Sequence, residues 1–128
     1  MHGSIMQTYA AECAEELPGA HLEHPFGPDW EVFTVRGKIF VLMTEVPGRP
    51  VVILKADPGD AQALREHNRH ITPGYHMNKR HWITLEGGSG IDKELVRELV
   101  TDSYLLVVSR LPKVEQPVDP ATFGAGSR

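Results

Sequence analysis

The chain has 128 residues, 41% hydrophobic and 23% charged, with a formal net charge of −4 at neutral pH. That length predicts one domain, and a chain of this size buries about two-thirds of its unfolded surface, so its core needs no covalent staples. The single cysteine excludes a disulfide framework, apolar runs such as Ile39–Met43 fall far short of the ~20 residues a bilayer span needs, and the acidic balance argues against a globally basic nucleic-acid binder.

The first predicted element is an amphipathic helix. Met6, Tyr9, Ala10, Cys13 and Leu17 recur at helical spacing, with Gln7, Glu12, Glu15 and Glu16 off that stripe. Ser4 and Gln7 have the spacing of a capping box, and Pro18-Gly19 ends the helix. Met1–Gly3 are given no structural weight. From Ala20 the period falls to two. His21–His24 reads as a short strand before Pro25-Phe26-Gly27-Pro28, and Glu31–Val35 as a second. Arg36-Gly37 is a tight turn into a strand over Lys38–Glu45, and Pro47-Gly48-Arg49-Pro50 breaks that strand from Val51–Lys55. Two short connections in succession require antiparallel neighbours.

Asp57-Pro58-Gly59-Asp60 is a helix start, with Asp57 as cap and Pro58 at the first helical position. Ala61 and Leu64 face inward, and the helix fades before Thr72-Pro73-Gly74. A strand follows over His81–Leu85, and Gly87-Gly88-Ser89-Gly90 reads as a linker. Asp92 caps the last helix, Ile91 and Val96 are placed for a hydrophobic staple, and Leu95, Leu99, Val100, Ser103, Leu106 and Val107 form its buried stripe up to Leu111-Pro112. Residues 112–128 lack periodicity and read as an extended or disordered tail. The economical architecture is a single α+β domain over residues 4–111, an antiparallel sheet with the helices on one face.

The chemically dense stretch lies between Glu66 and Glu86. It holds no acidic residue, but it does hold Arg69, Lys79, Arg80 and four of the seven histidines: His67, His70, His76 and His81. A local basic segment in an acidic chain is a candidate anion site, although by composition alone a solvated loop is the commoner outcome. His67 and His70 share a helix face, yet no nearby carboxylate or thiolate completes a metal set, and Arg69 opposes a dication. His21 and His24 point to opposite faces of a strand, and Cys13 sits on an apolar stripe as an inert core thiol. Glu12, Glu15, Glu16 and Glu23 look like an ordinary solvated ridge. No nucleophile elbow, phosphate loop or dinucleotide fingerprint occurs, so the expectation is a protein that is not an enzyme and needs no metal or cofactor.

The segment Pro73-Gly74-Tyr75-His76-Met77-Asn78-Lys79-Arg80-His81-Trp82-Ile83-Thr84-Leu85 resembles the MmcQ/YjbR family. So do His24-Pro25-Phe26-Gly27, Gly37-Lys38-Ile39-Phe40 and Glu98-Leu99-Val100-Thr101-Asp102-Ser103-Tyr104, in the family's order. The resemblance implies a frataxin (CyaY)-like α+β fold and a DNA-binding role through wing-like hairpins. The expected mechanism is weak, largely sequence-independent phosphate contact by Arg36, Lys38, Arg69, Lys79 and Arg80, with His76 and Asn78 as auxiliary donors. Tyr75 and Trp82 are expected to brace the loop by burying their rings. The alternative is a small anionic or aromatic ligand in a groove bounded by Tyr75, His76, Lys79 and Trp82, and a frataxin-like metal site ranks behind both. The expected address is cytoplasmic, with no membrane partner.

Overall fold

A computed structural model describes residues 1–124. In chain order it contains α1 (Gly3–Glu15), β1 (Ala20–Glu23), β2 (Glu31–Val35), β3 (Lys38–Val46), β4 (Arg49–Lys55), α2 (Pro58–His67), β5 (Ile71–Pro73), β6 (Trp82–Glu86) and α3 (Lys93–Ser109), then a 3-10 turn over Lys113–Glu115. The strands make one antiparallel sheet in the order β1-β2-β3-β4-β6-β5. This is the expected α+β domain, with α1 and α3 packed together on one face.

Strand alternation divides the core in two. Phe33, Val41, Met43, Val52, Leu54, Ile83 and Leu85 face the helices, where they meet Met6, Ala10 and Cys13 of α1 and Val96, Leu99, Val100 and Val107 of α3. Each Val, Leu, Ile, Phe or Met side chain among them contributes about 1.5–3 kcal/mol when fully buried. Val32, Leu42, Val51, Ile53 and Trp82 form the opposite face. No helix covers them. Trp30, Tyr75 and Met77, brought over by irregular chain, do so instead.

Both helix caps foreseen downstream are present. The Asp57 carboxylate accepts from Gly59 N at 3.0 Å, and that of Asp92 accepts from Leu95 N at 2.8 Å. Ile91 and Val96 are both buried in the helix-side core, as a staple requires. The box at Ser4 and Gln7 is not formed. Gln7 Nε2 instead donates to the carbonyls of Thr44 and Val51, across the β3–β4 pair, because the sheet offers that amide two buried acceptors. Met1 also has a place, its amino group donating to Gly88 O and its carbonyl accepting from Gly88 N.

Three further departures from the sequence reading have packing causes. Ile71–Pro73 is a strand rather than a fading helix end, since Ile71 is buried and the segment pairs with β6. Gly87 and Gly88 are not a linker: a β-carbon at Gly87 would lie 2.3 Å from Gly3 N, and one at Gly88 would lie 2.3 Å from the His70 ring. The segment after Leu111 docks over residues 112–124, with the Phe123 and Tyr104 ring centroids 6.0 Å apart and Val118 packed on the core. Residues 125–128 of the expected tail lie outside the described residues.

Tyr104, absent from the expected stripe, is fully buried and donates its hydroxyl to Pro18 O at 2.7 Å. Leu106, expected inside, is half-buried and lines a groove between α2 and α3. A Tyr ring can enter the core here because its polar tip finds a carbonyl at the end of α1.

Candidate functional site

The residues expected to bind phosphate fall in three places. Arg36 and Lys38 flank the β2–β3 turn, at the end of the sheet where β4 finishes and β6 begins. Arg69 lies between α2 and β5, next to Ile71 at the far end of the sheet. His76, Asn78, Lys79 and Arg80 belong to the loop between β5 and β6 that folds over the face away from the helices.

That loop spends most of its polar groups on its own fold. Lys79 Nζ donates to Gly74 O. Asn78 Oδ1 accepts from the backbone N–H of Arg80 at 2.9 Å and of His81 at 3.3 Å, an Asx turn that occupies the carboxamide oxygen. His76 sits at φ +59°, its ring 4.0 Å from that of Tyr75. It lines a depression shared with Asp29, Glu31 and Glu45, and three carboxylates oppose a phosphate there. Lys79 and Arg80 are both exposed, but the Lys79 ammonium is taken up by Gly74 O, whereas Arg80 stands two residues before Trp82, at the β6 start.

The expected ligand groove is likewise divided. Tyr75 stands between two hollows, sharing the acidic depression with His76 and a smaller one, beside Arg49 and Glu86, with Lys79, while Trp82 lines a third cavity. Tyr75 and Trp82 do brace the loop. Trp30 stacks on Tyr75 at 6.4 Å, and Gly74 lies so close to Trp82 that a β-carbon would come within 2.5 Å of Trp82 Cβ.

The third cavity holds about 540 Å³ and is lined by Gly37, Lys38, Ile39, Lys55, Trp82, Val107, Arg110 and Leu111. It opens where β3 and β4 part. Their pairing runs as far as Val41 with Leu54. At the next position Ser103 Oγ of α3 takes the place of the ladder bond, accepting from Lys55 N at 2.9 Å and donating to Phe40 O at 2.6 Å. Ser103 and Phe40 are fully buried and Lys55 is half-buried, so this bridge satisfies two backbone groups with limited access to water. It also fixes the backbone from which Lys55 projects. The Lys55 ammonium lies 5.8 Å from the Trp82 ring centroid, and burial, with Arg110 adding to it, lowers its pKa.

Among the described residues the ion pairs are Arg49–Glu86 at 2.8 Å and Arg97–Glu16 at 3.4 Å, so Lys38, Lys55 and Arg110 carry no paired carboxylate. Arg110 follows the last turn of α3, where its charge offsets the negative end of the helix dipole. Arg36, at φ +51°, donates Nε–H to Glu115 O, so the docked C-terminal segment holds the hairpin tip. Lys55 also borders the groove between α2 and α3, whose rim carries Asp57, Asp60, Glu98 and Asp102. Sequence reasoning missed Lys55 and Arg110 because neither belongs to the basic run between Glu66 and Glu86. The one signal available was their position at the very end of a strand and of a helix.

A family model described as YjbR matches residues 15–106. The chain belongs to the YjbR family. It is 45% identical to YbdF of Escherichia coli O157:H7 over 107 residues, 84% of this chain and 88% of that protein. It is 33% identical to YjbR of Escherichia coli K12 over 98 residues, 75% of this chain and 81% of the relative. Among solved structures it resembles a Deinococcus radiodurans protein with a DUF419 domain, at TM-score 0.73 and 34% identity, covering 81% of this chain and 80% of that one. A Pseudomonas syringae protein aligns at TM-score 0.68 and 28% identity, over 83% of this chain and 98% of the other. Lys38, Lys55 and Trp82 fall inside the YjbR span; Val107, Arg110 and Leu111 lie just past it.

Other chemical readings have these places in the structure. Cys13 is buried on α1, and burial pushes its thiol pKa up against the pull of Arg97, as for an unreactive core cysteine. His67 Nδ1 lies 2.8 Å from Ala63 O, while the His70 ring packs on Gly88. Among the described residues, no three His, Cys, Asp or Glu side chains converge as a metal set requires. Among the described residues no helix is long and apolar enough to cross a membrane.

Proposed function

We propose that this YjbR-family chain is a DNA-binding protein, not an enzyme, and that it contacts the phosphate backbone through the sheet end around Lys38, Lys55 and Arg110. The observation that carries the reading is three cations converging on one cavity whose lining, among the described residues, contains no carboxylate. Arg36 and Arg80 stand at the same end of the sheet and widen the positive surface. Phosphates are the polyanion such a surface suits, because each cation that meets one releases condensed counterions. Arg69, His76, Asn78 and Lys79, expected as contacts from the sequence, have no part in this interface. The net charge of −4 keeps the affinity micromolar or weaker and largely sequence-independent.

The test is a duplex-DNA titration followed by anisotropy at several salt concentrations. With three to five phosphates engaged, log K falls against log salt with a slope of about −2.7 to −4.5, at roughly −0.9 per phosphate. Absence of binding at low salt, or unchanged binding after Lys38→Ala, Lys55→Gln and Arg110→Ala are combined, overturns the reading.

A further inference from the structure

The cations at the sheet end do not stand on a flat or convex surface, as backbone contact alone would ask. They surround a half-open depression. Its walls are Ile39, Trp82, Val107 and Leu111, of which Trp82, Val107 and Leu111 are buried, and its rim is Lys38, Lys55 and Arg110. At about 540 Å³ it lies within the ~300–1,000 Å³ range of small-molecule sites. A phosphate held at the rim leaves those apolar walls unused. A duplex cannot use them either, because its bases are stacked and paired.

We infer that this cavity seats one unpaired nucleobase, with the adjoining phosphate on the Lys38–Lys55–Arg110 rim, so that the ligand is single-stranded nucleic acid rather than duplex. The inference rests on the phosphate-binding reading above and adds the base to it. A planar, largely apolar base flanked by an anionic phosphate is the ligand chemistry that uses walls and rim together. The depression is held open by construction. Ser103 ends the β3–β4 ladder at Val41 and Leu54, and Gly37, at φ +77°, turns the hairpin tip with no side chain to block the mouth. Lys55 is oriented from both sides, by Ser103 at its backbone and by the Trp82 ring near its ammonium. Base contact on such walls is tolerant of sequence, since every base has an apolar face.

The experiment compares a short labelled oligothymidine, an abasic strand of equal length, a duplex of equal length and free thymidine 5′-phosphate as competitor, all at low salt. The oligothymidine is expected to bind at least about tenfold tighter than either the abasic strand or the duplex. Ile39→Trp, which fills the depression from a half-exposed position, brings oligothymidine down to the abasic level and leaves abasic binding unchanged. Leu111→Ala, which removes a wall, is the second variant, and a thermal melt of each confirms its fold. Equal affinity for the abasic strand and oligothymidine overturns the base seat while leaving phosphate binding intact. Failure of every nucleic acid to bind overturns both. Displacement by thymidine 5′-phosphate at equal nucleotide concentration retains the seat but assigns it to a free nucleotide, which overturns the polymeric ligand.

Discussion

In the loop Gly74–His81 three polar side chains are engaged within the fold: Lys79 caps the Gly74 carbonyl, Asn78 closes an Asx turn, and His76 leans on Tyr75. At the sheet end around Lys55 the cations come from distant parts of the chain and line a shared cavity, and among the described residues none of them is ion-paired with a carboxylate. The first region is basic in sequence and structural in effect. The second is inconspicuous in sequence and is where positive charge accumulates in space. A run of charged residues reports composition along the chain, whereas a ligand meets what the strands and helices bring together.

Breaking the second region has the largest expected effect. Combining Lys38→Ala, Lys55→Gln and Arg110→Ala removes most DNA binding and flattens the salt slope by about 2.7, three phosphates at roughly 0.9 each. Lys79→Ala leaves that slope within error, and anisotropy titrations of the two proteins separate the regions directly.

Ser103→Ala is the next largest and acts on stability. It orphans the Phe40 C=O of a fully buried residue and the Lys55 N–H of a half-buried one, at about 1–3 kcal/mol for each group when buried. Chemical denaturation should show a loss of about 2–4 kcal/mol, allowing for partial relaxation of the strand ends. A loss no larger than that of an exposed Ser→Ala change would show that the bridge does not hold the cavity open.

Gly74→Ala tests the loop. The new methyl meets Trp82 backbone as well as its side chain, so overpacking costs about 1–3 kcal/mol and lowers Tm by several degrees. Arg80→Ala in the same loop leaves Tm unchanged, because its side chain is exposed.

The smallest effect is a pH dependence. Burial and Arg110 lower the Lys55 pKa, so Lys55 loses its charge at a lower pH than a free lysine. DNA affinity should therefore begin to weaken on the alkaline side before the other lysines titrate, and Lys55→Arg should keep it flat. Stability runs the other way. The unfolded chain holds the Lys55 proton more tightly than the folded one, so this group adds stability as pH rises from the folded towards the unfolded value. Affinity and melting curves across that range check both signs.

Local physics made much of the fold legible in the chain. The caps at Asp57 and Asp92, the Arg36-Gly37 turn and the alternation from Glu31 to Lys55 depend on neighbours within a few residues, and each was realised. The α+β order with helices on one face followed from those periods. Tertiary structure alone decided the rest. Gln7 left its helix cap for carbonyls 37 and 44 residues away, and a three-residue strand was earned by pairing with β6 rather than by propensity. The Gly87-Gly88 pair is packed because Gly3 and His70 press against it, contacts that no local pattern encodes. The candidate site is the extreme case. Lys38, Lys55, Trp82 and Arg110 belong to a hairpin turn, two strand ends and a helix end, so only the register of the sheet and the seating of α3 through Ser103 bring them to one cavity.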